Sequence, residues 1–456
     1  MKDVCANRMT IDEARREISR SGAAGLADRL GAIAVGNPLN ATTQVDYRVP
    51  EGLTGQLAGL PIAVKDNVDV LGFATTGASP ALKNFRPGAD APVVARLKAA
   101  GAWVPAKLNM HELAFGITSD NAAYGRVINP FDAGRTAGGS SGGSGAAVAA
   151  GLVPVALGTD TGASVRIPAA FCGTVGLRPS TGRYSTDGVI AISWMRDTIG
   201  VLANSVSDIS EIDAVICPDD AADITVPRRP LRLGLPADAL PGYCPATEDR
   251  FRAALEELVS GGTVEIVPLP ALGYEEIQSR FDAPTAQTEA LTWWREFCTD
   301  KLEITLQEFR EGLASPDVVE IFATMEAAAS DGAVIYRDLV RKGRSALQAC
   351  IGALFTQYEI DLIAAPTSPV QPPKVEDYSQ IKVRGELRPT LPVVVQNTSL
   401  ATIAGTPSLT LPAGFDADGL PVGLMLEAPI GCDRQLLAMA ARIEAELSPG
   451  CFESLR

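Results

Sequence analysis

The residues with most chemical potential lie in two short loops rich in glycine and serine. The first is Gly138-Gly139-Ser140-Ser141-Gly142-Gly143 and the second is Gly158-Thr159-Asp160-Thr161-Gly162-Ala163-Ser164. Glycine permits positive φ and close backbone approach, which anion-binding nests and oxyanion holes need. The two loops together could supply a serine nucleophile and the N–H groups that steady the oxyanion formed on attack. A serine hydroxyl needs a neighbouring base to attack an amide carbon at neutral pH. Histidine is the usual base, and the chain has one, His111. Ser140 and Ser141 each fit G-x-S-x-G, the strand–turn–helix elbow of α/β-hydrolases. That fold places its histidine after the nucleophile, whereas His111 precedes both serines, and only the turn–helix half of an elbow is visible here. His111-Glu112-Leu113-Ala114-Phe115 does not complete H-E-x-x-H either, so His111 reads as a structural residue at a strand–helix junction.

Without histidine, the base should be a lysine held neutral. Lys65 follows the apolar run Leu60 to Val64, which points it toward a buried place. To act near pH 7 it must drop roughly 3 units from about 10.4, worth about 4 kcal/mol, which burial beside hydroxyls rather than carboxylates can supply. Spacing alone favours the plainer alternative, a lysine that reaches water from a strand end or pairs with Asp66.

The elements that must position these residues are legible around the loops. Ser144 to Ala150 suits a short helix closed by Gly151, and Val153 to Leu157 is a strand-type apolar run. Leu60 to Val68 reads as a buried strand, Asp90 to Gly101 as a helix and Trp103 to Ala106 as a strand. This alternation to about residue 180 predicts an α/β fold with a mixed, mainly parallel central sheet covered by helices on both faces. Thr10 to Leu30 reads as a helix capped by Thr10, and Gly36 to Gln56 as a surface connection. Glu248 to Val259 and Thr285 to Lys342 read as largely helical, with Trp293 and Trp294 there for packing. Further strands are expected at Ile360 to Pro366 and, twice, between Ala404 and Leu426.

Composition narrows the function. A net charge of −15 argues against an electrostatic grip on nucleic acid or an anionic membrane, and no basic patch with interleaved aromatics offsets it. The charged N-terminus lacks an apolar core, so no secretory peptide is expected. The most apolar stretch, Gly145 to Gly158, is too short to span a bilayer and contains Pro154. Eight cysteines without a C-x-x-C pair read as reduced thiols of a cytoplasmic protein, and with one histidine no metal site or cofactor is expected.

Three separated segments, in order, resemble the amidase signature family of serine hydrolases. They are Pro61-Ile62-Ala63-Val64-Lys65-Asp66-Asn67, the GGSSGG loop, and GTDTGAS followed by VRIPAAFCG. The resemblance runs from about 57 to 203 and resumes from about 364 to 429. Length alone would suggest two or three domains. The resemblance implies one amidase domain over 1–456, with a helical elaboration at about 215–360. It also implies a Ser–Ser–Lys triad. Lys65 becomes the base, Ser164 the nucleophile, and Ser140, 24 residues before Ser164, the relay on a cis peptide bond. The amides of Thr161, Gly162, Ala163 and Ser164 become the oxyanion hole, with Ser141, Asp160 and Arg166 in support. Ala163 stands where the family commonly has glycine, Val201 where it has proline, and Met425 where many members carry glutamine.

Asn109 to Gly116, Gly182 to Ser185, Val395 to Thr398 and Ala404 to Pro407 are similar to the indoleacetamide and mandelamide hydrolase branch. The implied reaction is hydrolysis of a small primary amide, of arylacetamide type, to a carboxylate and ammonia through an acyl-enzyme. Met110, Phe115 and Trp194 are candidates for its apolar pocket. Alternatives are an allophanate- or carboxybiuret-type hydrolase, the glutaminase subunit of a tRNA-dependent amidotransferase, and an inactive relative, against which the intact Lys65, Ser140 and Ser164 argue. A homodimer is compatible with the resemblance.

Overall fold

The computed structural model describes residues 6–220 and 224–451. Its strands are β1 (Thr42–Val45), β2 (Ile62–Lys65), β3 (Ala106–Leu108), β4 (Val155–Asp160), β5 (Val175–Arg178), β6 (Thr198–Ala203), β7 (Leu231–Pro236), β8 (Val264–Leu269) and β9 (Leu362–Pro366). A hairpin of β10 (Gln380–Val383) and β11 (Glu386–Pro389) stands apart, and β12 (Ser408–Phe415) and β13 (Pro421–Glu427) follow. Eleven strands form one sheet in the order β1-β3-β2-β4-β6-β5-β12-β13-β9-β7-β8. The sheet is mixed and covered on both faces, as expected. Its parallel ladders are β3–β2–β4 on one flank and β9–β7–β8 on the other. Between them the strands run antiparallel, more so than the alternation of residues 57 to 180 implies. The physical reason is visible at β12–β13, where a tight turn at Asp416–Gly419 can join only antiparallel neighbours.

The two faces are covered by different helices. Helices α1 (Ile11–Gly36), α2 (Pro92–Ala99), α5 (Val206–Ile216), α6 (Pro245–Ser260) and α13 (Asp433–Cys451) pack on one face. Helices α3 (Gly142–Ala149), α4 (Arg166–Cys172), α7 (Tyr274–Phe297), α10 (Arg344–Gln357) and α12 (Ser399–Ala404) cover the other. Strand alternation makes the division: Ile62 and Val64 join the first core, and Ala63 between them joins the second. Lys65, two residues beyond Ala63, therefore emerges on the α3 face. Helix α1 begins at the expected Thr10 cap, with a reciprocal Thr10–Glu13 capping box, and bends at Gly22.

One part of the middle region departs from the helical reading of 215–360. Residues 231–269 form a β7–α6–β8 unit that extends the main sheet by two parallel strands. Arg232 and Pro236 inside β7 and alternate half-exposed residues hide its strand character in the sequence. The helical elaboration itself begins at α7 and continues through α8 (Leu306–Arg310), α9 (Pro316–Asp338) and α10. Trp294 packs there against Phe309 and Phe322, and Trp293 stacks on Phe297. Helix α11 (Thr390–Val395) follows the β10–β11 hairpin.

Candidate active site

The first glycine-serine loop runs into α3, whose residues are all buried. Its small side chains let the helix lie against backbone: a Cβ on Gly143 would stand 2.2 Å from the Asn109 carbonyl oxygen. This close approach carries Ser140 to the end of β2. The Gly139–Ser140 peptide bond is cis. Lys65 Nζ lies 2.8 Å from both Ser140 Oγ and Thr159 Oγ1, and Asn67 Nδ2 donates to the same threonine oxygen at 3.1 Å.

Lys65 is wholly buried, and among the described residues no carboxylate forms an ion pair with it. Asp66, the partner that spacing suggested, pairs instead with the second buried lysine, Lys107, at 3.3 Å. Burial lowers the Lys65 pKa from 10.5 to about 7, against the longer-range pull of Asp160 and Asp197. A primary amine with that pKa and two hydroxyl neighbours has a lone pair available to take the Ser140 proton at neutral pH.

Ser164 follows β4 in the second loop and faces a cavity of about 410 Å³. The loops adjoin: Ser141 N donates to the Ser164 carbonyl at 3.2 Å. Ser141 Oγ donates to Thr159 O at 3.2 Å and accepts from Thr159 N at 3.3 Å, which ties the first loop to β4. Among the described residues nothing hydrogen-bonds Ser164 Oγ. The amides of Thr161, Gly162, Ala163 and Ser164 likewise donate to no described group, although all four residues line the cavity. Backbone N–H groups in a protein interior are nearly always paired. Four consecutive unpaired ones in a loop that lines a cavity can receive an oxyanion. Ala163 belongs to an apolar cluster with Ile167 and Phe171 that also includes the cavity-lining Ile117, Val393 and Val395.

Buried charges brace this loop from behind. Asp160 accepts from Val165 N and Arg166 Nε, both at 3.1 Å, and pairs with Arg166 Nη2 at 3.1 Å and Arg178 Nη1 at 3.2 Å. Burial alone would raise its pKa, but the two guanidinium groups hold it down to about 2. Arg166 Nη2 also donates to Gly162 O, and Thr398 Oγ1 to the same oxygen at 2.9 Å. Asp160→Asn should therefore leave two buried guanidinium groups short of counter-charge. We expect a loss of about 3–5 kcal/mol in chemical denaturation together with a fall in activity.

Other expected pocket and scaffold residues separate cleanly. Phe115 lines the cavity, Met110 lies in the core and Trp194 is half exposed outside. His111 is buried at the β3 end; its ring bonds Asp317 at 2.9 Å and Thr118 at 3.3 Å, while its backbone N donates to the Ser140 carbonyl at 3.1 Å. Met425 brings its sulfur 3.6 Å from Arg166 Nη1, and Val201 is buried in the sheet core. Sequence reasoning missed Thr159, Asn67, Arg178, Asp197 and the α11 wall of the cavity. Thr159 and Asn67 lie inside the quoted motifs, but nothing in the sequence marks Arg178 or Asp197 as neighbours of Asp160 and Thr161. Among the described residues no helix is long and apolar enough to cross a membrane, and no three His, Cys, Asp or Glu side chains form a group that could hold a metal ion.

A mixed sheet whose loops gather a buried lysine, serines and a row of free amides beside an apolar cavity has the equipment of an acyl-transfer enzyme. The chain belongs to the Amidase family, whose model matches residues 29–437. It is an amidase, a hydrolase acting on amide C–N bonds. It is 37% identical to the indoleacetamide hydrolase of Agrobacterium vitis, covering 86% of this chain and 84% of that one. It is 38% identical to the mandelamide hydrolase of Pseudomonas putida, over 86% and 79%. It is also 38% identical to a glutamyl-tRNA(Gln) amidotransferase component of Thermus thermophilus, over 85% and 84%. The crystal structure of an amidase superposes with a TM-score of 0.82 at 30% identity, covering 96% of this chain and 100% of that one.

Proposed function

We propose that the protein hydrolyses a small, uncharged primary amide with an apolar acyl group, of arylacetamide type, through an acyl-enzyme on Ser164. The observation that carries this reading is the wholly buried Lys65, its pKa lowered by burial to about 7 and its amine bonded to Ser140 in the loop that adjoins Ser164. Ser164 Oγ attacks the amide carbon; its proton passes to Ser140, whose own proton passes to Lys65. The oxyanion rests on the amides of Thr161 to Ser164. Protonated Lys65 returns the proton through Ser140 to the nitrogen as the C–N bond breaks and ammonia leaves. Water then attacks the acyl carbon, its proton following the same route, and the ester bond to Ser164 breaks with return of that proton to Oγ.

The cavity favours an apolar acyl group. Phe115, Ile117, Ile192, Ile321, Val393 and Val395 line it beside Ser164. Its charged lining residues are already matched: Arg388 pairs with Glu275 and bonds Tyr243, and Asp282 pairs with Arg196. No described cation lining the cavity is left to receive the carboxylate of glutamine or of an anionic urea. The likeness to the Thermus amidotransferase component favours a second reading as a glutaminase. Ammonia release from phenylacetamide, mandelamide, indoleacetamide, glutamine and biuret-type acids separates these readings. We expect turnover of the aryl amides, at least about 100-fold better in kcat/KM than glutamine, a ratio of the size that unpaired buried polar groups impose. Turnover of glutamine or of a urea-type acid alone would overturn the acyl-group assignment.

A further inference from the structure

Thr161, the first residue of the free-amide row, is held by a neighbouring loop whose own anchors lie in the helical elaboration. Its hydroxyl donates to Asp197 Oδ1 at 2.6 Å, and its carbonyl accepts from Arg196 Nε at 3.2 Å. Asp197 Oδ2 closes a turn by accepting from Ile192 N at 2.8 Å and Ser193 N at 3.0 Å. Residues 192–197 thus form a rigid bracket behind the oxyanion loop. On the sheet side Arg178 Nη2 donates to Arg196 O at 2.8 Å. On the other side the bracket hangs from α7. Glu289 accepts from the Ser193 hydroxyl and from Met195 N, and its second oxygen accepts from Tyr336 OH of α9 at 2.9 Å. Asp282, two turns earlier on α7, pairs with Arg196, which also donates to the Asp282 carbonyl at 2.7 Å.

Glu289 is fully buried, and a buried carboxylate persists only where each oxygen is used. Here both are used, and both uses join the elaboration to the bracket or to α9. Asp282 also lines the substrate cavity, so its contacts are mixed, whereas Glu289 is not among the residues that line it. This separation makes Glu289 the informative residue. A glutamine in its place keeps the shape but is neutral, which weakens the charge-assisted bonds that hold the Ser193–Met195 turn and with it the backing of Thr161.

We infer that Glu289, through Ser193, Met195 and Asp197, is a positioning residue that sets the oxyanion loop, so that α7 controls turnover as well as acyl-group choice. The inference rests on the reading of Ser164 as nucleophile and of Thr161 to Ser164 as the oxyanion site. The test uses the enzyme carrying Glu289→Gln or Ser193→Ala, with Ser164→Ala as control. Two quantities are measured: steady-state kinetics on phenylacetamide, and the rate and endpoint of labelling by a fluorophosphonate, which reports native sites by its endpoint. For Glu289→Gln we expect kcat to fall about 10- to 100-fold, less than the roughly 10²–10³ of losing an oxyanion donor outright, with KM within twofold. Labelling should slow in parallel yet still reach one label per chain. Ser193→Ala should show the same split with a smaller fall, which keeps the test open if Glu289→Gln fails to fold. Wild-type kcat per labelled site in both variants, or a fall in endpoint that accounts for the lost activity, would overturn the inference. Activity retained in Ser164→Ala would instead sink the nucleophile reading on which it rests.

Discussion

Lys65→Met is expected to lower kcat/KM by about a thousandfold or more, because a serine without a base attacks amides at a small fraction of its catalysed rate. The wild-type profile should rise with pH through a limb near 7, where the buried amine loses its proton. The Lys65 contribution to wild-type stability should also rise with pH, over a higher range. The folded state holds Lys65 with a pKa near 7 and the unfolded chain near 10.5, so folding at lower pH requires either deprotonation or burial of charge. That penalty is present in full below pH 7 and disappears as pH rises through 10.5. Methionine escapes it, although Ser140 and Thr159 each lose a partner. Relative to wild type, the variant should thus be more stable at pH 6 than at pH 10, by about 4 kcal/mol. Denaturant titrations at the two pH values measure this, and a difference of zero would mean that Lys65 is charged in the folded protein.

Ser164→Ala carries the second large effect. Removing a serine nucleophile costs up to about 10⁶ in kcat, with residual catalysis from the oxyanion site and binding. Ammonia release from phenylacetamide should fall below detection in the variant. Because Ser164 Oγ makes no bond to any described residue, stability should change by less than about 1 kcal/mol, the net worth of one hydrogen bond. Ser140→Ala and Ser141→Ala separate the remaining hydroxyls. Ser140 meets the lysine, whereas Ser141 bonds only backbone of the two loops.

The parts of the site that are local in sequence were legible. Lys65 at the end of an apolar strand, two glycine-serine loops and the helix between them each follow from composition and periodicity. The row of free amides follows from the second loop once its position beside a cavity is known. The burial of Lys65 was not decidable from spacing. It depends on Thr159 and Ser140 closing over the amine and on Lys107 drawing Asp66 away, and both are long-range contacts. The bracket at 192–197 was invisible for the same reason: its anchors Asp282, Glu289 and Tyr336 lie about 90 to 140 residues downstream. The β7–α6–β8 unit escaped because its strands are short and interrupted by charged residues and proline. Met110, Phe115 and Trp194 were equal candidates for the pocket, and only the packing of the elaboration against the 115–117 segment distinguishes them.

The most direct test of one attacking serine among three, with a buried lysine behind it, is peptide mapping by mass spectrometry after reaction with a fluorophosphonate. We expect a single adduct on Ser164, formed at least about 100-fold more slowly in Lys65→Met, in line with a lost general base. An adduct on Ser140 or Ser141, or a labelling rate indifferent to Lys65, would contradict it.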